Sequence, residues 1–215
     1  MNKMKLFAGI IVFGSIWGFS ECIIGPAMSD MGLPSGIIMT GLFAMVFLTI
    51  SRMLFRQRGM QMGMGFTAGA LRLFNPFMGC HICSALAIMA EGIIFELIWN
   101  YATTSDLKNF NTTTMKSSLG IITAFSVYVG GYVVTQILTP LLYAGFYIEN
   151  LISLIPQILS AGLIAALIGG ITIPLTLSLR RLDLSLKDRL YYPVTIGISV
   201  FCWFMVIGNW LMIGA

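Results

Sequence analysis

What most constrains this chain is the near-absence of charge from apolar runs of about twenty residues that recur along its whole length. Polar clusters, prolines and basic residues divide it into seven such segments, at 6–25, 36–55, 60–75, 79–99, 117–140, 151–179 and 191–213. A helix rises about 1.5 Å per residue and the hydrocarbon core of a bilayer is about 30 Å thick, so roughly 20 apolar residues cross it. Only 9% of the residues are charged and 58% are hydrophobic, whereas a soluble domain is about 25% charged. The fold class is therefore all-α: a polytopic membrane helix bundle of six to seven transmembrane helices. Residues 1–215 form a single integral membrane domain, and the expected location is the cell membrane, multi-pass. A soluble enzyme, a nucleic-acid module and a disordered tail are excluded by the same composition. The first apolar run reaches about Gly25, too long for the usual core of a signal peptide and without a small-residue cleavage site. It reads as an uncleaved first helix.

Basic residues orient the bundle. With the N-terminus cytoplasmic and seven crossings, Lys3, Lys5, Arg52, Arg56, Arg58, Lys108, Lys116, Arg180, Arg181, Lys187 and Arg189 all fall on the cytoplasmic side. These are 11 of the 12 Lys and Arg residues, and Arg72 alone is left over. Removing one crossing from the middle would scatter them over both faces, contrary to the positive-inside rule. The net charge of +4 thus marks cytoplasmic loops, and no nucleic-acid partner is expected. The segment 60–75 is short, carries Gly59, Gly63, Gly65 and Gly69 around it, and contains Arg72. It reads as a short span or a re-entrant piece held inside the bundle, because lipid-exposed irregular backbone is forbidden.

Small residues at four-residue spacing let helices approach closely in lipid. Gly14 and Gly18 form one such pair, Gly65 and Gly69 another, and Ala161, Ala165 and Gly169 a third. Pro140, Pro156 and Pro174 are expected to end or kink the fifth and sixth helices.

Rise arithmetic gives each polar side chain a depth. Glu21 and Cys22 fall near the outer end of the first helix, Arg72 toward the outer end of the third segment, and Asn75, Cys80, His81 and Cys83 at the outer junction with the fourth. Glu91 lies deeper in the fourth helix, and Glu96 nearer the cytoplasm. An intramembrane charge is expensive and normally faces protein or water with a partner. Arg72 is therefore expected to pair with Glu21 or Glu91, either as a structural ion pair or as the grip on an anionic or amphoteric ligand. Trp17 and Asn75 would shape that pocket. Glu96 reads as a satisfied helix-end residue.

Cys80-His81-Ile82-Cys83 is the most specific local signal. It reads as ordinary buried cysteines, as a redox pair exchanging with an external thiol, or as part of a soft-metal site formed by Cys80, His81 and Cys83 with Cys22. Positions 80 and 83 share a helix face while 81 turns about 100° away, which argues against joint ligation. Met60, Met62 and Met64 alternate and could form a thioether ladder, although methionine also fills irregular Gly-rich backbone. No phosphate-binding P-loop, zincin H-E-x-x-H or G-x-S-x-G is present. The sequence leaves any cofactor unknown, and the chain reads as a transporter subunit without its own ATPase rather than an enzyme.

From residue 14 to 99 the order of features resembles the substrate-binding (S) subunits of energy-coupling factor (ECF) vitamin transporters. The resemblance rests on G-S-I-W-G-F-S-E, a G-P and loop at 25–35, an apolar helix ending in basic residues, R-G-M-Q-M-G-M-G-F-T-A-G-A-L-R-L at 58–73, and A-E-G-I-I-F-E-L at 90–97. It covers about 40% of the chain. It departs from the family in having seven segments instead of six and in lacking the Ala-x-x-x-Ala docking motif of the first helix, for which Gly14 and Gly18 are an analogue. It implies an outward-opening cavity lined by the first helix, the loop from Pro26 to Pro34 and the fourth helix, with a transmembrane coupling subunit and an ATPase as partners.

The expected function is that of a permease subunit binding a small micronutrient, vitamin-like or metal-containing, through Trp17, Glu21, Cys22, Arg72, Asn75, Cys80, His81 and Glu91. A membrane thiol–disulfide oxidoreductase using Cys80 and Cys83 is the alternative, and a soft-metal transporter the second. Membrane lipid and a small-molecule substrate complete the expected partners.

Overall fold

A computed structural model describes residues 3–74, 81–104, 112–143, 148–179 and 188–213, and among these residues there is no strand. Among the described residues the chain forms seven helical rods. They are α1 (Lys3–Asp30), α2 (Ser35–Phe55), α3 (Met60–Arg72), α4 (His81–Thr104), α5 (Thr113–Tyr143), α6 (Ile148–Ser178) and α7 (Asp188–Ile213). All except α3 contain a stretch long and apolar enough to cross a membrane. The chain is thus an all-α polytopic bundle. Its outward surface suits hydrocarbon: Leu163, Leu167, Ile171 and Leu175 form an exposed apolar row on α6, and Ile196, Val200 and Phe204 form another on α7. Rows of that kind in a soluble protein would drive aggregation.

The short helix α3 packs between α1 and α4. Its 13 residues span about 20 Å, some 10 Å less than the hydrocarbon core. Ile10, Gly14 and Gly18 of α1 pack in order on Gly63, Thr67 and Leu71, so α3 runs parallel to α1. On its other side Gly65 meets Gly92, and Gly69 meets Ala85, so α4 runs antiparallel. α4 therefore returns alongside α3 in the opposite direction. The glycines at this contact explain how α3 fits. A Cβ on Gly69 would lie 2.8 Å from the Ala85 carbonyl oxygen, and one on Gly92 would lie 2.6 Å from the Gln61 carbonyl oxygen. Backbones this close leave no room for side chains.

Gly14 and Gly18, expected to present a docking face to a partner, are turned inward. Their Cβ positions would fall 2.5 Å from Thr67 and 2.9 Å from Leu71, so α3 occupies the face that carries them. The methionines of α3 do not form a ladder either. Met60 and Met64 are fully buried in the core, whereas Met62 is exposed, as alternate positions on a helix require. Pro156 and Pro174 lie inside α6, which remains helical through both.

At the end where α2 finishes and α3 begins, buried polar groups knit four elements together. The Glu96 carboxylate of α4 accepts hydrogen bonds from the backbone N–H groups of Gly59 and of Met62, the latter at 2.9 Å. It thus caps α3 in trans, satisfying N–H groups that have no partner within the helix and placing negative charge at the positive end of the dipole. Gly59 adopts φ +86° to start that turn, a conformation glycine reaches without strain. Arg52 of α2 donates to Asn100 Oδ1 at 2.7 Å and to the Gln57 carbonyl at 3.4 Å. Asn100 donates in turn to Glu96 at 3.5 Å. Beside this network Phe95 and Trp99 stack, with centroids 5.1 Å apart. On the far side of α1, Tyr191 donates to the Lys5 carbonyl at 3.0 Å and Trp203 to Ser15 Oγ at 3.1 Å, which seats α7 parallel to α1.

Candidate functional site

Two helices break their regular winding at the same level of the bundle. Ser20–Ile24 in α1 and Met39–Ala44 in α2 form wide π-type turns. Each such turn inserts a residue into the helix, displaces side chains around the axis and frees a backbone carbonyl from the ordinary ladder, which is why π-bulges are frequent at functional sites. Glu21 lies in the first wide turn and Thr40 in the second.

These turns face the C-terminal end of α3 and the first half of α4. Arg72 is buried, at 7% exposure. Its Nε donates to Ser84 Oγ at 3.0 Å and one terminal nitrogen donates to the Glu21 backbone carbonyl at 3.1 Å. The carbonyl released by the wide turn is thus taken up by the guanidinium. Arg72 also acts electrostatically on the Glu21 carboxylate, whose Oε1 accepts a hydrogen bond from Trp17 Nε1 at 3.3 Å. Cys22 Sγ rests 3.6 Å from the Leu71 carbonyl oxygen. The second acid, Glu91, is buried, and its Oε1 accepts from Thr40 Oγ1 at 3.0 Å. Its Oε2 has no hydrogen-bond partner among the described residues. Glu91 packs on Gly131 of α5, where a Cβ would lie 3.0 Å from the carboxylate, and it interacts electrostatically with Glu21 and with Tyr128.

Trp17, Glu21, Cys22, Arg72 and Glu91 are thus brought together from α1, α3 and α4. Asn75 and Cys80 lie outside the described residues, as does the His81 side chain, although the His81 backbone begins α4 one turn before Ser84. Cys83 is buried and disulfide-bonded, while Cys22 and Cys202 are buried and not in disulfides. A sulfur held in a disulfide does not offer the thiolate that a soft metal requires. Among the described residues no cluster of three His, Cys, Asp or Glu side chains is arranged to hold a metal ion.

Two contributors, Thr40 and Ser84, were not legible in the sequence. Thr40 is one of several hydroxyls in a mostly apolar helix, with Thr49 and Ser51, where the usual partner is the helix's own carbonyl. Ser84 follows the cysteine motif without any distinguishing pattern. Tyr128 and Gly131 do stand three residues apart on one helix face, which is a readable signal for a small residue making room beside an aromatic one.

The arrangement defines a class: a multi-pass membrane bundle with a buried polar centre of two carboxyls and one guanidinium. No protein-family model matches the chain, and neither does any curated protein or solved structure.

Proposed function

We propose that this protein is the substrate-binding subunit of a membrane transport system in the cell membrane, taking up a small micronutrient through its outer half. One observation carries the reading. Arg72 and Glu91 are buried beside the partly buried Glu21 at the level of two π-type turns, and Glu91 Oε2 is left without a partner among the described residues. Intramembrane charges gathered in this way mark substrate or ion pathways more often than they mark stable packing. Donors on Arg72 suit an acidic group of a ligand, and the Glu91 carboxyl suits a donor group, so the ligand class is amphoteric and vitamin-sized. The resemblance to the S subunits of ECF vitamin transporters points the same way and brings with it a coupling subunit and an ATPase as partners.

The test is a panel of water-soluble vitamins, including the metal-containing one, added to purified protein in detergent. We expect at least one to raise the unfolding temperature of the wild type and to bind Arg72→Lys at least tenfold more weakly. A panel with no binder, or unchanged affinity in Arg72→Lys, rejects the reading.

A second reading has its own observation. Cys83 is disulfide-bonded in the first turn of α4, and a disulfide there can accept two electrons and two protons from an external dithiol, which leaves as a disulfide. Alkylation trapping in cells distinguishes the two readings. A mixture of oxidised and reduced Cys83 that shifts with external dithiol supports exchange. A bond that stays fully oxidised under the same treatment marks a structural disulfide.

A further inference from the structure

We propose that Glu91 is a proton-binding residue, holding a proton on Oε2 in the conformation described here and exchanging it as the site changes occupancy. The argument begins with a charge count. Among the described residues the centre contains two carboxyls, Glu21 and Glu91, and one guanidinium, Arg72, so with all three ionised one negative charge is unbalanced. Arg72 is committed to the Glu21 side, through its hydrogen bond to the Glu21 carbonyl at 3.1 Å and its electrostatic pull on the Glu21 carboxylate. Trp17 Nε1 adds a third favourable contact to Glu21. Among the described residues Glu91 has only the Thr40 hydroxyl, on Oε1.

Among the described residues no cation pairs with Glu91: Arg72 of α3 is bonded to Ser84 and to the Glu21 carbonyl, and the other groups that face it are neutral or acidic. From α1 comes the Glu21 carboxylate, a like charge; from α2 comes neutral Thr40; from α5 come Gly131 and Tyr128, the latter paired with Tyr132 at a centroid distance of 6.0 Å. Glu91 itself is 8% exposed, and its Oε2 is without a partner among the described residues. Burying an ionised carboxylate with one hydrogen bond beside a second carboxylate is far more costly than burying the neutral acid. Proton uptake removes the unbalanced charge and involves no bond except O–H: the carboxylate takes a proton from the aqueous phase, and Thr40 still donates to the carbonyl oxygen Oε1. It also turns Oε2 from an acceptor into a donor. A ligand amine or a second cation entering the centre would displace that proton, which would make uptake depend on the proton concentration outside. That last consequence rests on the transport reading above; the bound proton does not.

Infrared spectroscopy of the purified protein in lipid nanodiscs, with no ligand added, reads the proton directly. At neutral pH the wild type is expected to show a carboxylic-acid carbonyl band. Glu91→Gln removes it, and Glu96→Gln leaves it in place. No such band in the wild type overturns the proposal, as does a band that survives in Glu91→Gln and vanishes in Glu21→Gln. If Glu91→Gln does not fold, Thr40→Val decides: loss of the hydrogen bond to Oε1 is expected to raise the band's frequency, and an unmoved band refutes the assignment. Absence of the band leaves the vitamin panel unaffected, and a panel without binders leaves the band unaffected, so the two readings fail separately.

Discussion

Arg72→Ala is expected to destabilise the protein by about 3–5 kcal/mol, the range found when one partner of a buried charged network is removed. The mutation removes the guanidinium that balances Glu21 and takes two hydrogen bonds with it, one to Ser84 and one to the carbonyl freed by the wide turn of α1. Buried Glu91 and partly buried Glu21 then lose the guanidinium that shares their site. Thermal or denaturant unfolding in detergent measures the loss. Two companion variants fix the cause. Arg72→Met combined with Glu21→Gln is expected to recover much of the stability, because the neutral pair no longer leaves a buried charge. Arg72→Lys is expected to fall between wild type and alanine, since an ammonium keeps the charge and loses the planar fork that reaches two acceptors at once. A wild-type unfolding curve for Arg72→Ala would mean that this charge is not buried in the way described.

Gly120→Val is expected to do comparable damage through shape alone. A Cβ on Gly120 would lie 2.5 Å from the Gly169 carbonyl oxygen and 3.1 Å from Gly170 Cα. Both obstacles are backbone, so no side chain can rotate out of the way and α5 must separate from α6. Overpacking a well-fitted interior typically costs 1–3 kcal/mol, and we expect about 3 kcal/mol here, seen as loss of the monodisperse folded species in detergent. Gly208→Ala is the control. Nothing lies within 4 Å of its Cβ position, and replacing a helical glycine by alanine improves helix propensity by up to about 1 kcal/mol. Equal behaviour of the two variants would contradict the close α5–α6 crossing.

These two expectations also show where sequence reading stopped. Gly120 carries no signature that separates it from Gly208, because both are single glycines in apolar helices. Only the crossing helix makes one indispensable and the other free. Gly14 and Gly18 make the same point in reverse: their spacing announced a close helix contact, and the contact exists, but the partner is α3 of the same chain. Spacing states that a face is smooth, not what lies against it.

The sequence by itself determined that the chain is a membrane-embedded helix bundle, since a charge-poor chain with repeated apolar runs has no other way to satisfy its backbone in lipid. It also determined that Glu21, Arg72 and Glu91 share a level, because helix rise converts residue number into depth. Tertiary structure decided what those groups bond to. The wide turns rotate Glu21 and Thr40 around their helix axes, so Arg72 meets a freed carbonyl, Glu91 takes its hydrogen bond from Thr40, and one carboxylate oxygen is left for something else to fill. Depth is additive along one helix, whereas orientation between helices depends on contacts among residues far apart in the chain.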